Sequence, residues 1–255
     1  MKVRIRSSKN KDTANISLKP VRRRRPRLES EDKIPTKPSA FDLFAYNYDR
    51  WFEKEGRLIF SIESQAIKIA LPNLDKPWLE IGVGSGRFAQ ALDIDTGLDP
   101  SIELLHMARR RGITAFLGRG EEKLFDEHAF GSVFLIMTLP FVDSPSAILK
   151  EAHRILVPNG KLVIASVLRD NPWGQLYESK KSQGHRLYKH ATFYNYDEVT
   201  ALLQKANFKL QTTVSTLFQL PGNVQRLEAS KRGFYQSAGF TVIVASKCDN
   251  KSNRK

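Results

Sequence analysis

The sequence predicts an α/β fold, a Rossmann-like doubly wound sheet with mostly parallel strands. Short apolar runs alternate with amphipathic stretches from Trp78 to Val167. One run, SVFLIM (Ser132 to Met137), is almost wholly apolar, and the first, WLEI, empties into glycines at 82, 84 and 86. Alternating strands and helices imply a parallel sheet covered on both faces, with ligands beyond the carboxyl ends of its strands.

The elements follow in order. Residues 1–40 carry 13 Lys/Arg against 4 Asp/Glu, with no Phe, Trp or Tyr, and include Arg22 to Arg25, Pro26, Pro35 and Pro38. Such a segment buries too little surface to order itself, so a disordered basic arm is expected. The arm holds +9 of the chain's +14, which leaves the rest only mildly basic. It is either a solvated tail or an anchor on RNA or an acidic partner through phosphate contacts. From Phe41, aromatic residues at 44, 48, 51 and 52 place a stripe on one helical face. A second helix, with Ile59, Ile62, Ala66, Ile69 and Ala70 as its buried face, ends at Pro72. After the first strand and its glycines, Phe88 to Leu92 is helical and Asp93 to Leu98 is a strand ending at Asp99. Leu104, Leu105 and Ala108 mark a helix, and Ile113 to Gly118 and Ser132 to Met137 are the third and fourth strands. Ile148, Ala152, Ile155 and Leu156 form the next amphipathic stripe. VPNG stops that helix with a glycine, and KLVIASV is the fifth strand.

With 255 residues and 41% hydrophobic content, one sizeable core is expected, over residues 41–247, followed by a polar tail, 248–255. A lone Cys248 gives no disulfide framework and no thiolate metal cluster, so a cytoplasmic protein without a metal is expected. No apolar run approaches the roughly 20 residues of a membrane-spanning helix. The glycines invite a phosphate grip, but G-x-G-x-x-G counted from Gly82 needs glycine at position 87, which is Arg87. A nicotinamide oxidoreductase is disfavoured on that ground.

Glu80-Ile81-Gly82-Val83-Gly84-Ser85-Gly86 resembles the E/D-x-G-x-G-x-G signature of class I S-adenosylmethionine-dependent methyltransferases. Three further matches stand in register with it: Asp99 ending the second strand, Gly120-Glu121 after the third, and V-P-N-G before the fifth. The resemblance implies seven strands, the C-terminal one (FTVIVASK) antiparallel. It also implies S-adenosylmethionine as cofactor, with Gly82, Gly84 and Gly86 passing under its methionine portion and Glu80 holding the amino end. Asp99, followed by Pro100, would hold the ribose hydroxyls, since a carboxylate accepts two hydrogen bonds. Its alternative is a helix N-cap. Gly120 and Glu121 would face the adenine; Arg119 stands where relatives commonly carry Asp, which leaves the adenine contact to backbone. Met137 and Thr138 would lie against the sulfonium. Tyr48, with Asp49, would belong to a lid helix or else to core packing. Asn207 replaces a glycine common in relatives and tolerates a left-handed helix end.

Methyl transfer is an in-line displacement that chiefly requires alignment. A hydroxyl or protonated amine acceptor also needs a base. Candidates fall in NPWGQLYESKKSQGHRLYKHATFY: His185, Tyr188 and His190, with Trp173 and Tyr194 beside them. No N-P-P-Y or D-P-P-Y follows the fourth strand, where T-L-P-F stands, and Cys248 lies in the tail. These absences disfavour base-amino and cysteine-based pyrimidine methylation. A small-molecule acceptor is expected, with RNA, or a non-catalytic nucleic-acid-binding role for the fold, as alternatives.

Overall fold

In a computed structural model, residues 40–248 are described, except Asn73. Apart from Ala40 and Cys248, the expected basic arm and polar tail lie outside the described residues. Helices α1 (Ala40–Trp51) and α2 (Arg57–Ala70) precede β1 (Trp78–Ile81), α3 (Arg87–Leu92), β2 (Thr96–Asp99), α4 (Ile102–Arg110) and β3 (Thr114–Leu117). There follow β4 (Phe130–Ile136), α5 (Pro145–Ile155), β5 (Leu156–Ser166), α6 (Pro172–Ser182), α7 (Tyr196–Lys205), β6 (Phe208–Thr216), β7 (Lys231–Arg232) and β8 (Phe240–Lys247).

The sheet order is β3-β2-β1-β4-β5-β8-β6-β7. The pairs from β3 to β5 are parallel, and β8 runs antiparallel between β5 and β6. The fold is therefore the expected Rossmann-like one. The eighth strand, β7, is a two-residue pairing on β6, too short for any apolar period to mark it. The side chains of β4 alternate between faces. Phe134 and Ile136 pack with Ile62, Ala66, Phe88 and Leu105, while Val133 and Leu135 pack with Ile148, Ala152, Val199 and Leu203. Strand order reverses at β1, which pairs with both β2 and β4, and ligands of such sheets bind at the carboxyl ends of the strands at that point. Among the described residues, no helix is long and apolar enough to cross a membrane.

Two local expectations need correction. Ile69 is 41% exposed and Ile59 only half-buried, and the buried face of α2 carries Ile62, Glu63, Ser64, Ala66, Ile67 and Ala70. In VPNG the left-handed residue is Asn159, at φ 61°, and not the glycine. Gly160 is needed because a Cβ there would lie 2.8 Å from the Val157 carbonyl oxygen. The left-handed turn at Asn207 is present, at φ 60°.

Candidate active site

The three glycines between β1 and α3 all have positive φ, at 76°, 52° and 82°. They differ in what a side chain would meet. A Cβ on Gly82 would collide with Thr138, whose Oγ1 donates to the Ile81 carbonyl, so this glycine lets β4's exit pack on the loop. A Cβ on Gly86 would sit 3.0 Å from Cα of Ala108, so that glycine admits α4. A Cβ on Gly84 would meet nothing closer than the Tyr48 ring, at 3.7 Å. A Cβ there would make only ordinary van der Waals contact, so at Gly84 it is the left-handed backbone, at φ 52°, that calls for glycine.

Beneath the loop lie two buried carboxylates. The Gly84 N–H donates to Asp99 Oδ2 and the Ser101 N–H to Oδ1, both at 2.8 Å. Burial pushes the Asp99 carboxyl up to about 6; these two bonds hold it down, and the charge of Asp42 raises it. Ser101, not Asp99, caps α4, accepting from the Leu104 N–H. Glu80 is held well above the usual carboxylate range, first by burial and then by the negative charge of Asp99. Its Oε2 is buried without a hydrogen-bond partner among the described residues. An orphaned acceptor of this kind costs free energy until a donor meets it.

Helix α1 is clamped to the loop through Asp49. Arg87 donates to both its carboxylate oxygens, Arg111 donates to one of them, and Arg111 also donates to the Ser85 carbonyl. Burial pushes the Asp49 carboxyl up, but hydrogen bonds from Arg87, Ser85 and Arg111 outweigh it and bring it down to about 2. The clamp is thus fully formed above the ordinary Asp pKa of about 4 and is lost as pH falls through 2. Asp49→Ala should cost roughly 2 kcal/mol in urea unfolding at pH 7. That is below the cost of breaking a fully buried pair, because these side chains keep 15–17% exposure.

The remaining expected cofactor residues take mixed positions. Gly120 packs against Ile81 and Ile148, and Pro100 is exposed. Glu121 is half-buried, 3.8 Å from Arg119 and accepting from the Ser144 N–H. Arg119 pairs with Asp143, joining the loops after β3 and β4. Met137 leaves β4 at φ 53°.

Of the expected acceptor-side residues, Tyr188 joins a ring cluster, 4.8 Å from Tyr177 and 6.3 Å from Phe141. Burial pushes its hydroxyl up to about 12. His185 is exposed but stacks on Tyr188 at 4.7 Å; partial burial and then Lys180 lower its pKa. His190 is exposed and Tyr194 half-buried. Trp173 belongs to the core, its Nε1–H bonded to the Gln219 carbonyl. Sequence reasoning missed Glu63, only 6% exposed, whose charge acts on Tyr48, Tyr177 and Tyr188. Its signal was a spacing: Ile59, Glu63, Ala66 and Ala70 fall on one helical stripe. A surface cleft lined by Leu168, Asp170, Asn171, Tyr196 and Phe234 shares no residue with these groups.

A family profile described as a methyltransferase domain matches residues 53–213, from the end of α1 into β6. An uncharacterized protein of Mycobacterium tuberculosis is 39% identical over 209 residues, 81% of this chain and 73% of that protein. One from Methanocaldococcus jannaschii is 36% identical over 209 residues, covering 82% and 99%. A solved structure from Thermotoga maritima, a SAM-dependent methyltransferase described as a "possible histamine N-methyltransferase", matches with a TM-score of 0.77. It is 36% identical, over 82% of this chain and 98% of that one.

Proposed function

Because the chain belongs to the class I S-adenosylmethionine-dependent methyltransferases, we propose that residues 41–247 form a cytoplasmic enzyme transferring a methyl group from that cofactor to a small-molecule acceptor. The observation that carries this proposal is Glu80 Oε2, which lies in β1 just before the glycine loop, buried with no hydrogen-bond donor among the described residues. When bound, S-adenosylmethionine supplies a methyl group on a good leaving group. An ammonium would satisfy Glu80, and the glycine backbone would admit the methionine chain. Asp99 spends one lone pair per oxygen on backbone N–H groups and keeps others for the ribose hydroxyls. Pro100, Gly120 and Glu121 would border the adenine, with Met137 and Thr138 beside the sulfur.

On the acceptor side, Tyr48, Phe141, Tyr177 and Tyr188 would exclude water and orient the nucleophile. His185, its pKa lowered by burial and by Lys180, is neutral at pH 7 and can receive a proton. The Thermotoga relative's description also names a small molecule. The test is transfer of labelled methyl groups by the full-length protein to a metabolite extract and to total RNA. Label is expected in the low-molecular-weight fraction, unchanged when residues 1–40 are deleted. Label in RNA that disappears with the deletion would move the acceptor to RNA and give the basic arm its anchoring role.

A further inference from the structure

Resting on that assignment of the cofactor site, we propose that Asp42 of α1 is a positioning residue for Asp99: by holding Ser101 it fixes an N–H that Asp99 accepts, so the ribose-holding end of the site is complete only with α1 docked. The family profile begins at residue 53, so α1 lies outside the stretch that it matches.

The contacts run in one line. Ser101 is wholly buried; its hydroxyl donates to Asp42 Oδ1 at 2.5 Å, and its N–H donates to Asp99 Oδ1 at 2.8 Å. The same hydroxyl oxygen accepts the Leu104 N–H, so the cap that starts α4 is oriented by Asp42. Without the Asp42 acceptor, the turn from Asp99 into α4 loses that tie and a buried hydroxyl loses its partner.

The second N–H on Asp99 is backed by the same helix. It comes from Gly84, and the Tyr48 ring of α1 lies 3.7 Å from where a Gly84 Cβ would stand. Residues 42 and 49 fall two turns apart on one face of α1, about 10 Å along its axis, with buried Ala45 between them. Asp42 reaches Ser101, the N-cap of α4, and Asp49 reaches Arg111, its C-cap. Helix α1 is therefore pinned along α4 at both ends.

The tie also carries charge. An acid accepts the Ser101 hydroxyl more strongly than an amide would, but it sets a second negative charge near Asp99 and disfavours the ionised form of that carboxyl. The titratable groups that act with Asp99 are Asp42 and Tyr48 from α1 and Glu80 from β1. Burial holds Tyr48 above its ordinary range, so it stays neutral from pH 5 to 8. Glu80 is retained in every variant below.

The test is calorimetric titration of the full-length protein with S-adenosylhomocysteine at pH 8 and pH 5, for the wild type, Asp42→Asn and Ser101→Ala. Wild-type affinity should fall about tenfold between the two, as for a carboxylate at about 6 that must be ionised to accept. Asp42→Asn keeps an acceptor and removes the charge: affinity at pH 8 should drop about threefold, and the fall to pH 5 should shrink to less than about fivefold. Ser101→Ala keeps the charge and cuts the tie: affinity at pH 8 should drop about fivefold with the tenfold fall intact. Asp42→Asn, a half-buried change of one atom, keeps the test open should Ser101→Ala not fold. Wild-type affinity at pH 8 in Asp42→Asn, or the same pH dependence in it as in the wild type, would overturn the proposal. Failure of the wild-type protein to bind S-adenosylhomocysteine at all would instead strike the cofactor assignment, a separate readout.

Discussion

Replacing Asp99 by alanine is expected to weaken S-adenosylhomocysteine binding at least about tenfold, or about 1.4 kcal/mol, by calorimetry. Two losses combine. The ribose hydroxyls would, on the proposed reading, lose their acceptor, and the N–H groups of Gly84 and Ser101 lose theirs, which frees the loop from β2. Asp99→Asn keeps the shape and separates the two, because its amide oxygen can still serve one N–H. The pH dependence adds a sign. With Asp99 pushed up to about 6, protonation below that pH removes an acceptor, so wild-type affinity should fall as the solution is acidified and that of Asp99→Asn should fall less. Affinity unaltered in Asp99→Ala would remove Asp99 from the cofactor site.

The second large effect is on stability. The Glu63 carboxyl is pushed by burial from 4.5 to about 8 in the folded protein. Below pH 4.5 it is protonated in both states. Between 4.5 and 8 the unfolded chain gives up a proton that the folded one keeps, so stability falls as pH rises; above 8 there is no further loss. The total is on the order of 5 kcal/mol. Glu63→Gln removes this penalty, so it should melt near wild type at pH 5 and higher by about ten degrees at pH 8.5. A constant difference across that range would mean that Glu63 is solvated or paired. A group that destabilises its own fold at neutral pH is the sort found where a ligand is handled.

Much of this was legible in the sequence because the signals were local. β1 and β4 are apolar runs bounded by turn residues, and the glycines and Asp99 mark strand ends by residue type. Arg87, which ruled out the dinucleotide fingerprint, turns out to clamp α1 through Asp49, a contact over 38 residues that no periodicity announces. Glu63 was hidden because a stripe is scored by its apolar members, and one acid among Ile59, Ala66 and Ala70 counts as noise. Trp173 was assigned to the substrate cover from its polar neighbours. Its burial and the approach of Gly239, where a Cβ would strike the indole ring, show that it is core.

The place of β8 has a consequence for assembly. It enters between β5 and β6 and pairs with both, although it is made after either. As the chain emerges in order, β1 to β5 can zip together as soon as each crossover helix exists, whereas β6 has no sheet to join until β8 has been synthesised. Two long unsatisfied edges, on β5 and β6, stay open through that interval, and such edges recruit strands from other chains. Aggregation during synthesis should therefore be governed by how soon the ribosome releases residues 240–247.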